Sequence, residues 1–136
     1  MKSMPMIQKF MTSMPHTIGA DIELKKAKAM MSEYHIRHLP VLEGGKLVGV
    51  ITDRDISLAS SFQGDAELKV DDVMMPMTYT VRPEASLDAV VAQMAEHKYG
   101  CAIVKQDNDK VVGIFTAVDA LRVLSDVLHD HYKGRQ

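Results

Sequence analysis

The chain has 136 residues, of which 46% are hydrophobic and 25% charged, with a formal net charge of −2. That is one domain's worth of ordinary globular sequence, long enough to bury a core without staples, and it excludes a disordered or low-complexity chain. It also lacks the basic surplus that grips nucleic acid or anionic lipid, and no apolar run approaches the roughly 18 residues of a membrane span.

Met1–Phe10 does not read as a secretory leader. The single cysteine, Cys101, excludes an intrachain disulfide and a cysteine-rich zinc site, and fits a reducing, cytoplasmic setting. From there the chain reads as one pattern written twice. At an offset of 63, Met11 matches Met74, Thr17 matches Thr80, Leu24 matches Leu87, Met31 matches Met94 and Val41 matches Val104. One extra turn residue then moves the offset to 64, pairing Lys46 with Lys110, Gly49 with Gly113, Thr52 with Thr116 and Asp55 with Asp119. Two units of about 60 residues are too few for a solenoid and suit a closed pair about a pseudo-twofold axis.

In the first repeat, an extended piece at His16–Gly19 precedes a helix that Asp21 can cap, with Leu24, Ala27, Met31 and Tyr34 at helical spacing. Leu39–Leu42 and Leu47–Thr52 then form a hairpin through Glu43-Gly44-Gly45-Lys46, and a second helix starts near Thr52. Ser60–Asp65 reads as the connector. The second repeat opens at Val70–Met77. It continues with an extended piece at Tyr79–Arg82, a helix capped by Ser86 (Leu87, Val90, Met94, His97), the hairpin Ala102–Val104 and Val111–Thr116, and a helix from near Thr116. The fold class is α+β, as two β-α-β-β-α repeats. The divisions are 1–62, a linker at 63–69, and 70–136 with a C-terminal helix and tail.

The chemistry concentrates in Gly49-Val50-Ile51-Thr52-Asp53-Arg54-Asp55 and its echo Gly113-Ile114-Phe115-Thr116-Ala117-Val118-Asp119. In both, a strand ends and a helix begins at Thr, so a hydroxyl and a carboxylate one turn apart face one spot at a helix N-terminus. A carboxylate accepting from two vicinal hydroxyls is a sensible ribose hook. Thr-x-x-Asp is also the pattern of a capping box, which taken alone is its commoner meaning. Other candidates are weaker. The methionines around Met4–Met14 and Met74–Met77 suit adaptable packing better than a soft-metal site. Asp107-Asn108-Asp109 lacks the Gly and distal Glu of a calcium loop, and His129-Asp130-His131 sits on a tail, so no metal is expected. No nucleophile–base constellation supports catalysis, and no catalytic residue is assigned.

Ile36-Arg37-His38-Leu39-Pro40-Val41, Leu47–Asp55, Val111–Asp119 and Val73-Met74 together make the chain, from about Ile7 to Leu128, resemble a tandem pair of cystathionine-β-synthase (CBS) domains, the Bateman module. The resemblance implies a non-catalytic regulatory module that takes AMP, ADP or ATP, or alternatively S-adenosylmethionine or NADH, with no cofactor required. With no effector domain in the sequence, it implies a stand-alone sensor or adaptor, a homodimer, and a separate regulated protein; the charge balance and the lack of a long apolar run predict no membrane or nucleic acid partner. It also implies composite ligand sites. One cleft would join Ile114, Thr116 and Asp119 to Thr17, Ile18, Ile36, Arg37, His38 and Arg54. A second, weaker one would join Thr52 and Asp55 to Thr80, Val81, Tyr99, Gly100, Cys101 and Val118. Only the first carries Arg37, His38 and Arg54; their matches are Gly100, Cys101 and Val118, so phosphate belongs with the first. Pro40 of the family pattern is Ile103 in the second repeat. A protein-interaction scaffold that has lost its ligand remains the alternative.

Overall fold

In the computed structural model, residues 2–63 and 67–133 are described. The hydrophobic periodicity and turn signals resolve into β1 (Thr12–Ser13), β2 (Ile18–Gly19), α1 (Leu24–Tyr34), β3 (His38–Glu43), β4 (Lys46–Thr52), α2 (Asp53–Gln63), α3 (Val70–Val73), β5 (Thr80–Val81), α4 (Leu87–His97), β6 (Cys101–Lys105), β7 (Val111–Thr116) and α5 (Ala117–Tyr132). The expected β-α-β-β-α order is present twice. The string Ser60-Ser61-Phe62, read above as connector, is helical and belongs to α2; the expected connector residues 64–66 lie outside the described ones. None of the described helices is long and apolar enough to cross a membrane.

The described residues divide into two compact units. The first is drawn from Pro15–Thr78 with Asn108–Lys110, the second from Met1–Met14, Tyr79–Asp107 and Val111–Gln136. In the first unit β2 runs parallel to β3, and β3 antiparallel to β4, with Val41 opposite Gly49. Gly44 and Gly45 both take positive φ, the geometry that a two-residue hairpin turn needs to follow the twist of its strands. Leu24, Ala27 and Met31 form the buried stripe of α1 and pack with Leu39, Val41, Ile51, Ile56 and Val70. In the second unit the sheet order is β1-β7-β6-β5. There Leu87, Val90 and Met94 of α4 pack with Ile7, Ala102, Val104 and Phe115.

Sequence repeat and compact unit are therefore not the same thing, because each unit borrows the segment that precedes the other repeat. The Leu24 amide donates to the Leu68 carbonyl (2.8 Å), and the Val70 amide to the Ile22 carbonyl (2.9 Å). At the matched places, the Leu87 amide donates to the Pro5 carbonyl (2.9 Å) and the Ile7 amide to the Ala85 carbonyl (2.7 Å). The Leu24 and Leu87 bonds satisfy open amides at the starts of α1 and α4, a task the sequence assigned to side chains. Asp21 is not the cap of α1: the N-cap position is Glu23, with no side-chain cap bond. Ser86 does occupy the N-cap of α4 but makes no side-chain cap bond either.

The exchange also explains the glycine that opens each chemical string. Met75 makes an isolated antiparallel bridge to Val50 (Val50 N–H to Met75 O, 3.0 Å), and β1 pairs with β7. A Cβ on Gly49 would lie 2.6 Å from the Met75 carbonyl oxygen and 2.8 Å from the Met74 sulfur, and one on Gly113 would collide with the Met11 thioether. Met11 and Met74 are thus packing residues against a strand without a side chain.

Candidate functional site

Both Thr-x-x-Asp strings fold as capping boxes. In the first unit the Thr52 amide donates to Asp55 Oδ2 (3.2 Å), and the Asp55 amide to Thr52 Oγ1 (3.1 Å). In the second, the Thr116 amide donates to Asp119 Oδ2 (2.9 Å), and the Asp119 amide to Thr116 Oγ1 (3.2 Å). Capping and ligand binding are compatible here. A carboxylate offers about four lone-pair sites, and the box fixes its plane while using only Oδ2. Asp119 Oδ1 faces Arg122 Nη1 at 3.6 Å, a pairing absent in the first unit, where Leu58 holds the matched position. Arg122 is a cation that the sequence reading missed; its (i, i+3) spacing from Asp119 was the available signal.

The structure places the sequence-derived candidates in two groups per unit. In the first unit Thr17 abuts β2, Ile36 and Arg37 lead into β3 at His38, and Arg54 lies in the first turn of α2. The Asp53 amide donates to the Arg37 carbonyl (3.1 Å), which ties the entry of β3 to the start of α2. The Arg37 Nε stands 4.0 Å from Asp53 Oδ2, with its side chain 78% exposed, so that ion pair contributes little and leaves the guanidinium available. Arg54 makes no ion pair among the described residues. Ile18 is buried in the core of this unit. In the second unit Ile114 is buried on β7, Thr116 and Asp119 open α5, Thr80 and Val81 form β5, and Val118 is exposed on α5. The Ala117 amide donates to the Gly100 carbonyl (3.0 Å), the same tie as Asp53 to Arg37 but with no side chain on the glycine. Cys101 is buried at the start of β6, and burial pushes its thiol up to about 12, so it stays protonated and inert at neutral pH.

A pair of stacked rings was not foreseen. His16 stacks on Tyr34 with ring centroids 3.8 Å apart in the first unit. In the second, Tyr79 stacks on Tyr99 (4.9 Å), which stacks on His97 (5.1 Å). The repeat offset carried the signal, since His16 and Tyr34 match Tyr79 and His97 with the ring types exchanged. Desolvation, and then the neighbouring Tyr99, raise the pKa of Tyr79. The first unit also holds a cavity of about 480 Å³ between α1 and α2, lined by Lys28, Met31, Ser32, His35, Ile36, Arg37, Asp53, Ile56 and Ser57. Among the described residues no group of three or more His, Cys, Asp or Glu side chains is arranged to hold a metal ion.

Comparison with known proteins accounts for this layout. A CBS-domain family model matches residues 7–61 and 70–126. A putative acetoin utilization protein (AcuB) from Vibrio cholerae is 31% identical, with a TM-score of 0.84 over 95% of this chain and 96% of that one. The CBS domain pair of protein MJ0100, in complex with 5′-methylthioadenosine and S-adenosyl-L-methionine, is 26% identical at a TM-score of 0.83, covering 91% of this chain and 98% of that one. The CBS domain-containing protein YhcV of Bacillus subtilis is 32% identical over 118 residues, 85% of this chain and 83% of that protein. The inosine-5′-monophosphate dehydrogenase of Korarchaeum cryptofilum is 32% identical over 103 residues, yet the match spans only 21% of that enzyme. With two family matches and both repeats folded as β-α-β-β-α, the chain belongs to the CBS domain family as a tandem CBS pair.

Proposed function

We propose that this CBS pair is a non-catalytic regulatory module that senses an adenosine-containing ligand, with AMP, ADP or ATP favoured over S-adenosylmethionine or NADH. The observation that carries the reading is the carboxylate held by each capping box with an oxygen outside the box, together with cations confined to one set of partners. The main site takes the ribose at Thr116 and Asp119 beside Ile114. Thr17, Ile18 and Ile36 supply apolar and backbone contacts, and Arg37, Arg54 and His38 meet the phosphate. The second set, Thr52 and Asp55 with Thr80, Val81, Gly100 and Cys101, has no matching cations and takes a less anionic ligand or none. The adenosine-derived ligands of the MJ0100 pair support the ligand class. The enzyme relative, of which this chain spans about a fifth, supports a module that attends chemistry done elsewhere.

The module works as a homodimer on a separate protein in a reducing, cytoplasmic compartment. The exposed Leu121, Leu124, Val127 and Leu128 of α5 support assembly through an apolar helix face. Thermal unfolding with adenosine, AMP, ADP, ATP, S-adenosylmethionine and NADH tests the reading, because a ligand that binds only the folded state must raise the melting temperature. A rise with at least one of them is expected. No rise with any leaves the interaction-scaffold reading in its place.

A further inference from the structure

We propose that the groove between α1 and α2 of the first unit is a polyphosphate subsite, which makes the module select nucleoside di- and triphosphates over monophosphates. This rests on the adenosine reading above, through Arg37, which belongs both to that site and to the groove. The cavity, about 480 Å³, is of the size that holds a small ligand. Its floor is apolar, from the buried Met31 and Ile56. Lys28 and Ser32 lie one turn apart on α1, and His35, the left-handed residue that caps the helix, and Arg37 follow them in the lining. From Lys28 to the end of α1 at Tyr34 the helix rises about 9 Å, and Arg37 lies beyond it, so the donors are spread out rather than gathered at a point, matching a chain of phosphates better than a single carboxylate. Across the groove lies the first turn of α2, where the helix dipole favours anions.

The fold does not require these residues. At the matched places of the second repeat, Lys28 becomes Val91, Ser32 becomes Ala95, Arg37 becomes Gly100 and Ser57 becomes Leu121, and the same two helices still form. Asp53 is the one acid in the lining, 4.0 Å from Arg37, and a bound phosphate chain takes its place as the guanidinium's partner.

Titration calorimetry of the full chain in magnesium-free buffer with AMP, ADP, ATP and inorganic tripolyphosphate tests the proposal. ATP should bind more tightly than AMP, and tripolyphosphate should compete with ATP. Lys28→Gln should weaken ATP and tripolyphosphate roughly tenfold, as loss of a charge-assisted bond does, and leave AMP within about twofold. Lys28 is an exposed helix residue, so the variant folds, which a melting curve verifies. Asp53→Asn should raise ATP affinity. Equal effects of Lys28→Gln on AMP and ATP, or a fall in ATP affinity with Asp53→Asn, would overturn the subsite. The two readings fail separately. Tripolyphosphate binding that Lys28→Gln abolishes, without binding of any adenosine compound, removes the adenosine reading and with it nucleotide selection, leaving a bare anion groove. AMP binding with no gain for ATP removes the subsite alone.

Discussion

The first unit opens α2 with the Thr52–Asp55 box beside Arg37, Arg54 and a groove carrying Lys28; the second opens α5 with the Thr116–Asp119 box beside Gly100, Val118 and the exposed leucines of the same helix. The backbone devices are the same in both: the borrowed segment at the helix start, the glycine against a methionine, the amide tie from helix to strand entry, and a left-handed residue, His35 or Lys98, closing the first helix. What differs is charge and the extent of apolar surface, since α2 exposes Leu58 and Phe62 and the longer α5 exposes Leu121, Leu124, Val127 and Leu128. The repeated devices are therefore what the fold needs, and the unrepeated side chains are where function can differ between the units. The largest expected effect sharpens this division. Asp119→Ala and Asp55→Ala should each cost about 1 kcal/mol of stability through the lost cap, seen by urea unfolding. Only Asp119→Ala should also weaken nucleotide binding, by about 1–3 kcal/mol in calorimetry. Equal losses of affinity would break the comparison.

The glycines split the units differently. Gly49→Ala forces a Cβ against the Met75 backbone carbonyl, which the paired backbone bonds between Val50 and Met75 hold in place. It should cost about 1–3 kcal/mol, as overpacking does. Gly113→Ala meets only the thioether of Met11, a flexible side chain that can swing away. Its cost in the same unfolding assay should be smaller; the reverse order would show that Met11 is the more rigid neighbour.

Much of this was legible in the sequence. The offset between the repeats placed both hairpins and both pairs of helices, because Leu24, Ala27 and Met31, or Gly44-Gly45, act through local periodicity and turn geometry. The two boxes were legible as boxes for the same reason. The exchange of leading segments was not, because a backbone amide donating to the Leu68 or Pro5 carbonyl leaves no residue preference behind. For that reason the sequence favoured Asp21, a good capping side chain, over an anonymous carbonyl. The groove left no mark in the sequence, because Lys28 and Ser32 fall outside the apolar stripe of α1 and become a lining only when α2 is set against them.

A smaller effect concerns the cations. Arg37→Ala and Arg54→Ala should weaken ATP and AMP more than adenosine, and wild-type binding of the phosphates should fall with added salt, since exposed charge pairs are screened. Calorimetry of the three ligands at two salt concentrations measures it. Parallel losses for all three would return both arginines to the status of surface charges and erase the main chemical difference between the units.

The smallest effect lies where the repeats match His38 with Cys101, each opening a central strand. His38 is half-buried and engaged with a partner, whereas Cys101 is buried and its thiol is pushed up to about 12 by desolvation. In the unfolded chain the thiol has its ordinary pKa near 9. The folded state thus holds the proton through a window in which the unfolded state releases it. Stability from this group is complete below about pH 9 and falls as pH rises from there towards 12. At neutral pH the difference is nil in stability and visible only in reactivity. Native protein should react slowly with iodoacetamide at pH 8 and at the rate of a free thiol once urea unfolds it. Cys101→Ala should flatten the decline of stability between pH 9 and pH 10.5, measured as urea midpoints against wild type. A native thiol that alkylates as fast as the unfolded one would place Cys101 at an open surface, and the second unit would then offer a nucleophile where the first offers an imidazole.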